Sequence, residues 1–378
     1  MIAYLDNAAS TPIDKTVLEA MYPYLTSNFG NPSSIHAHGR AARSAIEIAR
    51  KSIASLLNTS PSEIFFTSGG TEADNTALTS TIYSKNIKHV ITSPIEHHAV
   101  LHCLESLEKR KLIQLSLLEI NHKGESELEQ LEKLLIKNPN SLVSIMHANN
   151  EIGNINDVEQ IGLLCKEHNA LFHSDTVQTI GHQKIDLQKN HFDFIVGSAH
   201  KFHGPKGIGL LYINNRNNIQ PFIHGGAQER NMRGGTENIS GIIGLAKALE
   251  IAYSNIDIHK LHISSLKLRM IEKLKAEIQG ITFNGNSEFT SKSLDTILSI
   301  SLPYTEENDM LLFNLDINNI SASGGSACSS GTDIGSHVLH QLNLDENRGN
   351  VRFSFSRYNT IEEIDYTVNT LKKIISKK

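Results

Sequence analysis

Through the first two thirds of the chain, stretches with helical spacing of apolar residues alternate with short apolar runs of strand length. Ile46, Ala49, Ile53 and Leu57 recur at helical spacing across residues 43–57. Asp157 precedes a second such stretch, 158–168, as an N-cap, and Gln160 at the third helical position gives a capping-box variant. Val158, Ile161 and Cys165 share one face of that helix. Between the helices lie runs at 89–92, 141–146, 170–173 and 192–196. This alternation predicts an α/β fold with a mainly parallel sheet flanked by helices on both sides. In that architecture ligands sit beyond the carboxyl ends of the strands. A long helical stretch around 251–277 leads into a region, 283–378, that reads as a smaller α+β unit. The expected division is a large domain over 1–255 and a small one over 256–378, with about the first 15 residues packing on the small one.

Composition narrows the function. A net charge of −5, with acidic and basic residues interspersed, argues against a nucleic-acid or membrane-surface partner. No run reaches membrane-span length, and the start Met1-Ile2-Ala3-Tyr4-Leu5-Asp6 lacks the pattern of a signal peptide. Cys103, Cys165 and Cys328 are too widely spaced for a disulfide framework or a Cys-x-x-Cys metal site, so a reducing cytoplasm is expected. Among the 19 histidines, the close pairs His36/His38, His97/His98 and His200/His203 lack a third ligand at helical or turn spacing, and no metal is expected. Cys103 shares an apolar face with Val100, Leu104 and Leu107, and both it and Cys165 read as buried core residues.

Three clusters carry chemistry. In Thr67-Ser68-Gly69-Gly70-Thr71-Glu72 an apolar run, 64–66, passes through glycines into a helix start, which is either an ordinary strand-to-helix turn or a site that points free N–H groups at an anion such as phosphate. In His173-Ser174-Asp175-Thr176-Val177-Gln178 an acid stands just past a buried strand, placed either to cap a helix or to pair with a protonated ring nitrogen. In Ser198-Ala199-His200-Lys201-Phe202-His203-Gly204-Pro205-Lys206 a turn offers two lysines. A lysine forced into a partly buried site forms Schiff bases readily. Spacing alone does not choose between Lys201 and Lys206; Ser198 and His200, suited to a phosphate or ring contact, favour Lys201.

Together these clusters resemble the class V aminotransferase family, and within it the NifS/IscS-like cysteine desulfurases. The likeness spans nearly the whole chain. It begins at Tyr4-Leu5-Asp6-Asn7-Ala8-Ala9 and passes through Phe29-Gly30-Asn31-Pro32, Gly69-Gly70-Thr71-Glu72, Glu96-His97 and Met146-His147-Ala148-Asn149-Asn150-Glu151. It continues through Ser198-Ala199-His200-Lys201, His224-Gly225-Gly226, Arg233-Gly234-Gly235-Thr236 and Ser326-Ala327-Cys328 to Arg352-Phe353-Ser354.

The resemblance implies the fold of type I pyridoxal-phosphate (PLP) enzymes. Lys201 then holds PLP covalently and moves the Cα proton, Asp175 keeps the pyridine nitrogen protonated, and Gln178 contacts the ring hydroxyl. His97 stacks on the ring as an acid/base, although its neighbour His98 is chemically equivalent in sequence. Gly70, Thr71, Ser198 and His200 bind the phosphate, joined by Thr236 from the second subunit of a homodimer. Asn150 and Arg352 hold the carboxylate of the substrate, L-cysteine. A guanidinium fork matches a carboxylate independently of any resemblance, though a surface salt bridge is the plainer reading of that arginine. Cys328 lies in the small-residue stretch 321–332, which has little to pin it down. The resemblance makes it the thiol that takes the sulfur as a persulfide and delivers it to an acceptor protein for iron–sulfur cluster assembly or tRNA thiolation.

Two departures bear on this. The chain stops about twenty residues after Arg357, which leaves docking of an iron–sulfur scaffold open, and Thr176-Val177 replace the smaller or different residues usual between the Asp and Gln. Two rival classes are another PLP reaction on the same fold, such as transamination or selenocysteine lysis, and a non-catalytic phosphate-binding protein.

Overall fold

The computed structural model describes residues 1–305, 308–324, 335–345 and 347–376. In chain order its strands are β1 (Ala3–Tyr4), β2 (Ile64–Thr67), β3 (His89–Thr92), β4 (Gln114–Leu117), β5 (Leu142–Ser144) and β6 (Leu171–Asp175). These are followed by β7 (Phe194–Ser198), β8 (Gly209–Ile213), β9 (Thr282–Phe283), β10 (Ile297–Leu302), β11 (Ile320–Ser321) and β12 (Gly349–Ser354). A seven-stranded sheet runs in the order β2-β8-β7-β6-β5-β3-β4. Its neighbours are parallel except where β8 pairs antiparallel with both β2 and β7. The sheet is therefore mixed, with β8 the reversed strand, and β2, β3, β5, β6 and β7 end at one edge.

Alternation along each strand divides the core between the two faces of the sheet. Phe66, Ile91, Ile195 and Leu210 join one cluster with the helices Ala37–Leu56, Val158–Glu167 and Ile239–Ser254. Their strand neighbours Phe65, Val196 and Leu211 face a second cluster containing Ala73 and Ala77 of the helix Gly70–Lys85. Ile46, Ala49, Ile53 and Leu57 are buried as their spacing predicts, on a helix that begins at Ala37, where the His36 side chain accepts the Gly39 N–H. Asp157 accepts the Gln160 N–H at 3.0 Å, while the return bond from the Gln160 side chain is not made.

Several local expectations change. The run at 170–173 is a strand over Leu171–Asp175, so the acid closes the strand instead of following it. The run at 141–146 is a strand only over Leu142–Ser144. The run at 192–196 starts two residues later and ends two later, because β7 takes its register from β8, with Gly197 opposite Leu210 and Ser198 opposite Gly209. Phe192 instead stacks on Phe172 at 5.2 Å. The helical stretch at 251–277 is two helices, Ile239–Ser254 and Ile256–Glu277, interrupted at Asn255, whose side chain bonds back to Ile251 O.

A separate cluster gathers Ala3 and Leu5 with Leu266, Met270, Leu298, Ile300, Val351, Phe353, Val368 and Leu371. It lies on a sheet in the order β12-β10-β9, beside the parallel pair of β1 and β11. Among the described residues no helix is long and apolar enough to cross a membrane.

Candidate active site

Five parallel strands deliver side chains to one cleft of about 230 Å³. The turn after β2 supplies Gly70 and Thr71, the turn after β3 supplies His97, and the segment after β5 supplies Met146 and Asn150. β6 ends on Asp175, with Val177 and Gln178 just beyond, and β7 ends on Ser198, followed by His200 and Lys201. Ala8, Ala9, Asp74 and Arg352 complete the lining.

Backbone proximity shapes the anion seat. The helix Gly70–Lys85 starts with no side-chain cap on its first N–H groups, which leaves them for a bound anion. A Cβ on Gly209 would lie 2.6 Å from both the Gly69 carbonyl carbon and Thr67 Oγ1, so only glycine lets β8 close against this turn. A Cβ on Gly70 would sit 2.8 Å from Val177 Cγ2, which brings the helix start against the segment that follows Asp175.

Of the two lysines in the third cluster, Lys206 is exposed, whereas Lys201 lines the cleft. Lys201 Nζ donates to Ala8 O at 2.6 Å and Ala9 O at 2.9 Å. Gln178 Nε2 donates to the same Ala8 oxygen at 3.1 Å. His200 Nδ1 lies 3.2 Å from Ser10 Oγ, and the His200 carbonyl accepts from Thr11 N–H and Oγ1. The segment after Asp6 thus straps the lysine turn in place, a function not assigned to it from sequence.

His97, rather than His98, lines the cleft. His97 Nδ1 accepts the Ala99 N–H at 3.1 Å, so the neutral ring carries its proton on Nε2. Burial, with the nearby Lys201 charge, lowers its pKa to about 4, so it is neutral at pH 7. His98 packs instead against His102 and His337, with the rings tilted by 33° and 45°. Burial lowers His200 similarly to about 4.

Asp175 shares its buried surroundings with two further carboxylates, Asp74 and Glu96. Burial raises Asp175 to about 6, against a 2.8 Å bond from the Val177 N–H and the Lys201 charge, both of which favour ionisation. Asp74 and Glu96, both buried, are pushed well above the usual carboxylate range by burial and by the Asp175 charge. Of the three, Asp175 is therefore the one that ionises first, and its charge holds the other two protonated to higher pH. Asp74 Oδ1 lies 3.3 Å from His173 Nε2; neither Asp74 nor Glu96 was singled out for a role from sequence, because nothing local signals that the two are buried together.

Arg352 is 2 % exposed. Its Nη1 donates to Asn150 O at 2.8 Å and its Nη2 to Asp6 Oδ1 at 2.9 Å, while Nε meets no acceptor among the described residues. The surface-salt-bridge reading of this arginine does not hold. Thr236 is exposed and lines a different cavity, with Thr67, Ser68 and Arg233. Cys165 is buried, and burial pushes its thiol up. Cys103 packs against the cluster of Val100, Leu104 and Leu107 as its helix face predicts, but it is half-buried rather than fully buried and bonds Thr79 Oγ1 at 3.5 Å. Cys328 lies outside the described residues.

The cleft suits a flat, phosphorylated, cationic ring. It has an uncapped helix start, a carboxylate to pair with a ring N–H⁺, and an amine held over two carbonyls. The aminotransferase class-V family matches residues 3–367. The chain belongs to this family, and its cofactor is PLP. It is 42% identical over 378 residues to the cysteine desulfurase IscS of Dictyoglomus turgidum, covering 99% of this chain and 94% of that protein. It is 38% identical to the putative cysteine desulfurase IscS 1 of Bacillus subtilis, covering 99% and 98%. Among solved structures, a NifS-like protein superposes with a TM-score of 0.91 at 38% identity, over 100% of both chains. The SspA protein, solved in complex with cysteine, superposes with a TM-score of 0.82 at 34% identity, over 95% of this chain and 100% of that one.

Proposed function

We propose that this chain is a PLP-dependent cysteine desulfurase, in which Lys201 holds the cofactor and Cys328 receives the sulfur. The observation that carries the reading is a single cleft in which Asp175, Lys201 and an uncapped helix start face the buried arginine Arg352. Names of whole-length relatives and the cysteine bound by SspA support the substrate.

In this reading Gly70, Thr71, Ser198 and His200 seat the phosphate, Asp175 pairs with the ring nitrogen, and Gln178 faces the ring hydroxyl. Bound there, PLP supplies an electron sink that acidifies the Cα–H of the amino acid it holds. Asn150 and Arg352 orient the substrate carboxylate. Lys201 Nζ would take up and return the Cα proton, and neutral His97, lining the same cleft, would move protons there. The Cys328 thiolate attacks the sulfur of L-cysteine: an S–S bond forms as the Cβ–S bond breaks, and the electron pair stays with carbon. Protonation of that carbon completes L-alanine. L-cysteine and one thiol thus become L-alanine and one persulfide, with no outside oxidant or reductant.

The persulfide then passes to an acceptor protein serving iron–sulfur cluster assembly or tRNA thiolation, with neither a nucleic acid nor a membrane as direct partner. The unpaired thiols of Cys103 and Cys165 suit a reducing cytoplasm. We assign residues 1–255 to a large domain and 256–378 to a small one, with about the first 15 residues packing on the small one, in keeping with the cluster that joins Ala3 and Leu5 to Leu266, Phe353 and Leu371.

The test is alanine formation from L-cysteine, with mass spectrometry for a gain of about 32 Da (one sulfur) on Cys328. Cys328→Ser is expected to retain the bound cofactor and its spectral response to L-cysteine, yet form no alanine. Full alanine production by that variant, or the added mass on Cys103 or Cys165, would turn the reading toward another class V reaction or another thiol.

A further inference from the structure

The reaction above leaves the carboxylate of Asp6 without a task, although it touches the substrate-binding arginine. Asp6 Oδ1 accepts from Arg352 Nη2 at 2.9 Å and from Ser323 Oγ at 2.8 Å. The backbones are tied as well: Arg352 N–H donates to Ser323 O at 2.6 Å, Ser323 N–H to Arg352 O at 3.2 Å, and Ser354 N–H to Leu5 O at 2.7 Å. One carboxylate therefore joins three segments that are far apart in sequence.

A guanidinium on a long arm has many rotamers, and burial without a counter-charge is costly. Here one Nη is fixed by Asn150 O and the other by Asp6, whose side chain is only 19% exposed. The plane of the fork is thereby set. Nε–H, which has no acceptor among the described residues, and the remaining Nη hydrogens are left for an incoming carboxylate.

We propose that Asp6 is a positioning residue for α-carboxylate recognition, holding the Arg352 fork in its binding orientation and linking it to Ser323. The proposal rests on the reading of Arg352 as the carboxylate-binding group. Asp6 acts on binding through Arg352 and takes no part in bond breaking.

The test uses the PLP-loaded Asp6→Asn enzyme, which keeps the side-chain size and one acceptor oxygen, and Asp6→Glu, which returns the charge. L-alanine and ethylamine (the same ligand without its carboxylate) are titrated against the absorbance of the bound cofactor. In Asp6→Asn, L-alanine binding should weaken about 10- to 100-fold and the KM for L-cysteine should rise by a similar factor. The kcat should stay within about threefold, the pattern of lost binding that is equal in ground and transition states. Ethylamine should bind wild type and variant alike, and Asp6→Glu should recover most of the loss. Unchanged or tighter L-alanine binding in Asp6→Asn, or an equal loss for ethylamine, overturns the proposal, even if thermal stability falls. A wild type that binds L-alanine but makes none from L-cysteine would sink the desulfurase reading and leave the role of Asp6 intact.

Discussion

Lys201 and Lys206 share one turn, and their surroundings separate them completely. Lys206 is exposed, while the Lys201 amine is held over the carbonyls of Ala8 and Ala9 inside the cleft. Lys201→Ala should release PLP on dialysis, seen as loss of the visible band, and lower turnover at least about a thousandfold. Lys206→Ala should keep the band and stay within about threefold of wild-type turnover. The opposite pattern would assign the cofactor to Lys206. His97 and His98 divide in the same way: helix capping places one ring in the cleft and the other on His102. In both pairs spacing alone did not choose; neighbouring residues favoured Lys201 and the resemblance favoured His97, and these are the two that line the cleft, where burial is set by contacts from distant segments.

At the scale of elements, the site was legible wherever a strand ends. A buried run followed by glycine or a polar turn marks the carboxyl edge of a parallel sheet, and β2, β6 and β7 each carry such a signature. The reversed strand β8 carries none, and its pairing moved β7 two residues from its expected place. The helix Ile256–Glu277 holds another feature without a sequence signal. Lys267 is fully buried there, donating to Ser293 Oγ at 2.8 Å and Leu294 O at 2.7 Å, and burial lowers its pKa to about 7. Between about pH 7 and its ordinary value of 10.5 the unfolded chain binds more protons at this lysine than the folded one, so its contribution to stability rises with pH across that window. Lys267→Met should remove that rise: urea midpoints at pH 7 and pH 10 should differ less in the variant than in the wild type. An unchanged difference would mean that Lys267 is charged and compensated in the fold.

For the whole molecule, the open question of function is the second subunit. Thr236 lies outside its own cleft and is exposed, so the proposed phosphate contact requires a neighbouring copy. A dimer is expected by light scattering in solution. Thr236→Ala should weaken PLP retention about 10-fold, the scale of one lost charge-assisted hydrogen bond, without dissociating the dimer. A fully active monomer would contradict this.

The sequence by itself determined the α/β class, the order of the chemical clusters along it and the groups they offer, because periodicity, caps and strand-end motifs act over a few residues. The tertiary structure decided how those groups behave. It brought Asp74, Glu96 and Asp175 into one buried cluster, carried Asp6 across 346 positions to Arg352, and laid the segment at Ala8 and Ala9 over Lys201. Charge state and orientation follow from desolvation and from partners that no local pattern specifies.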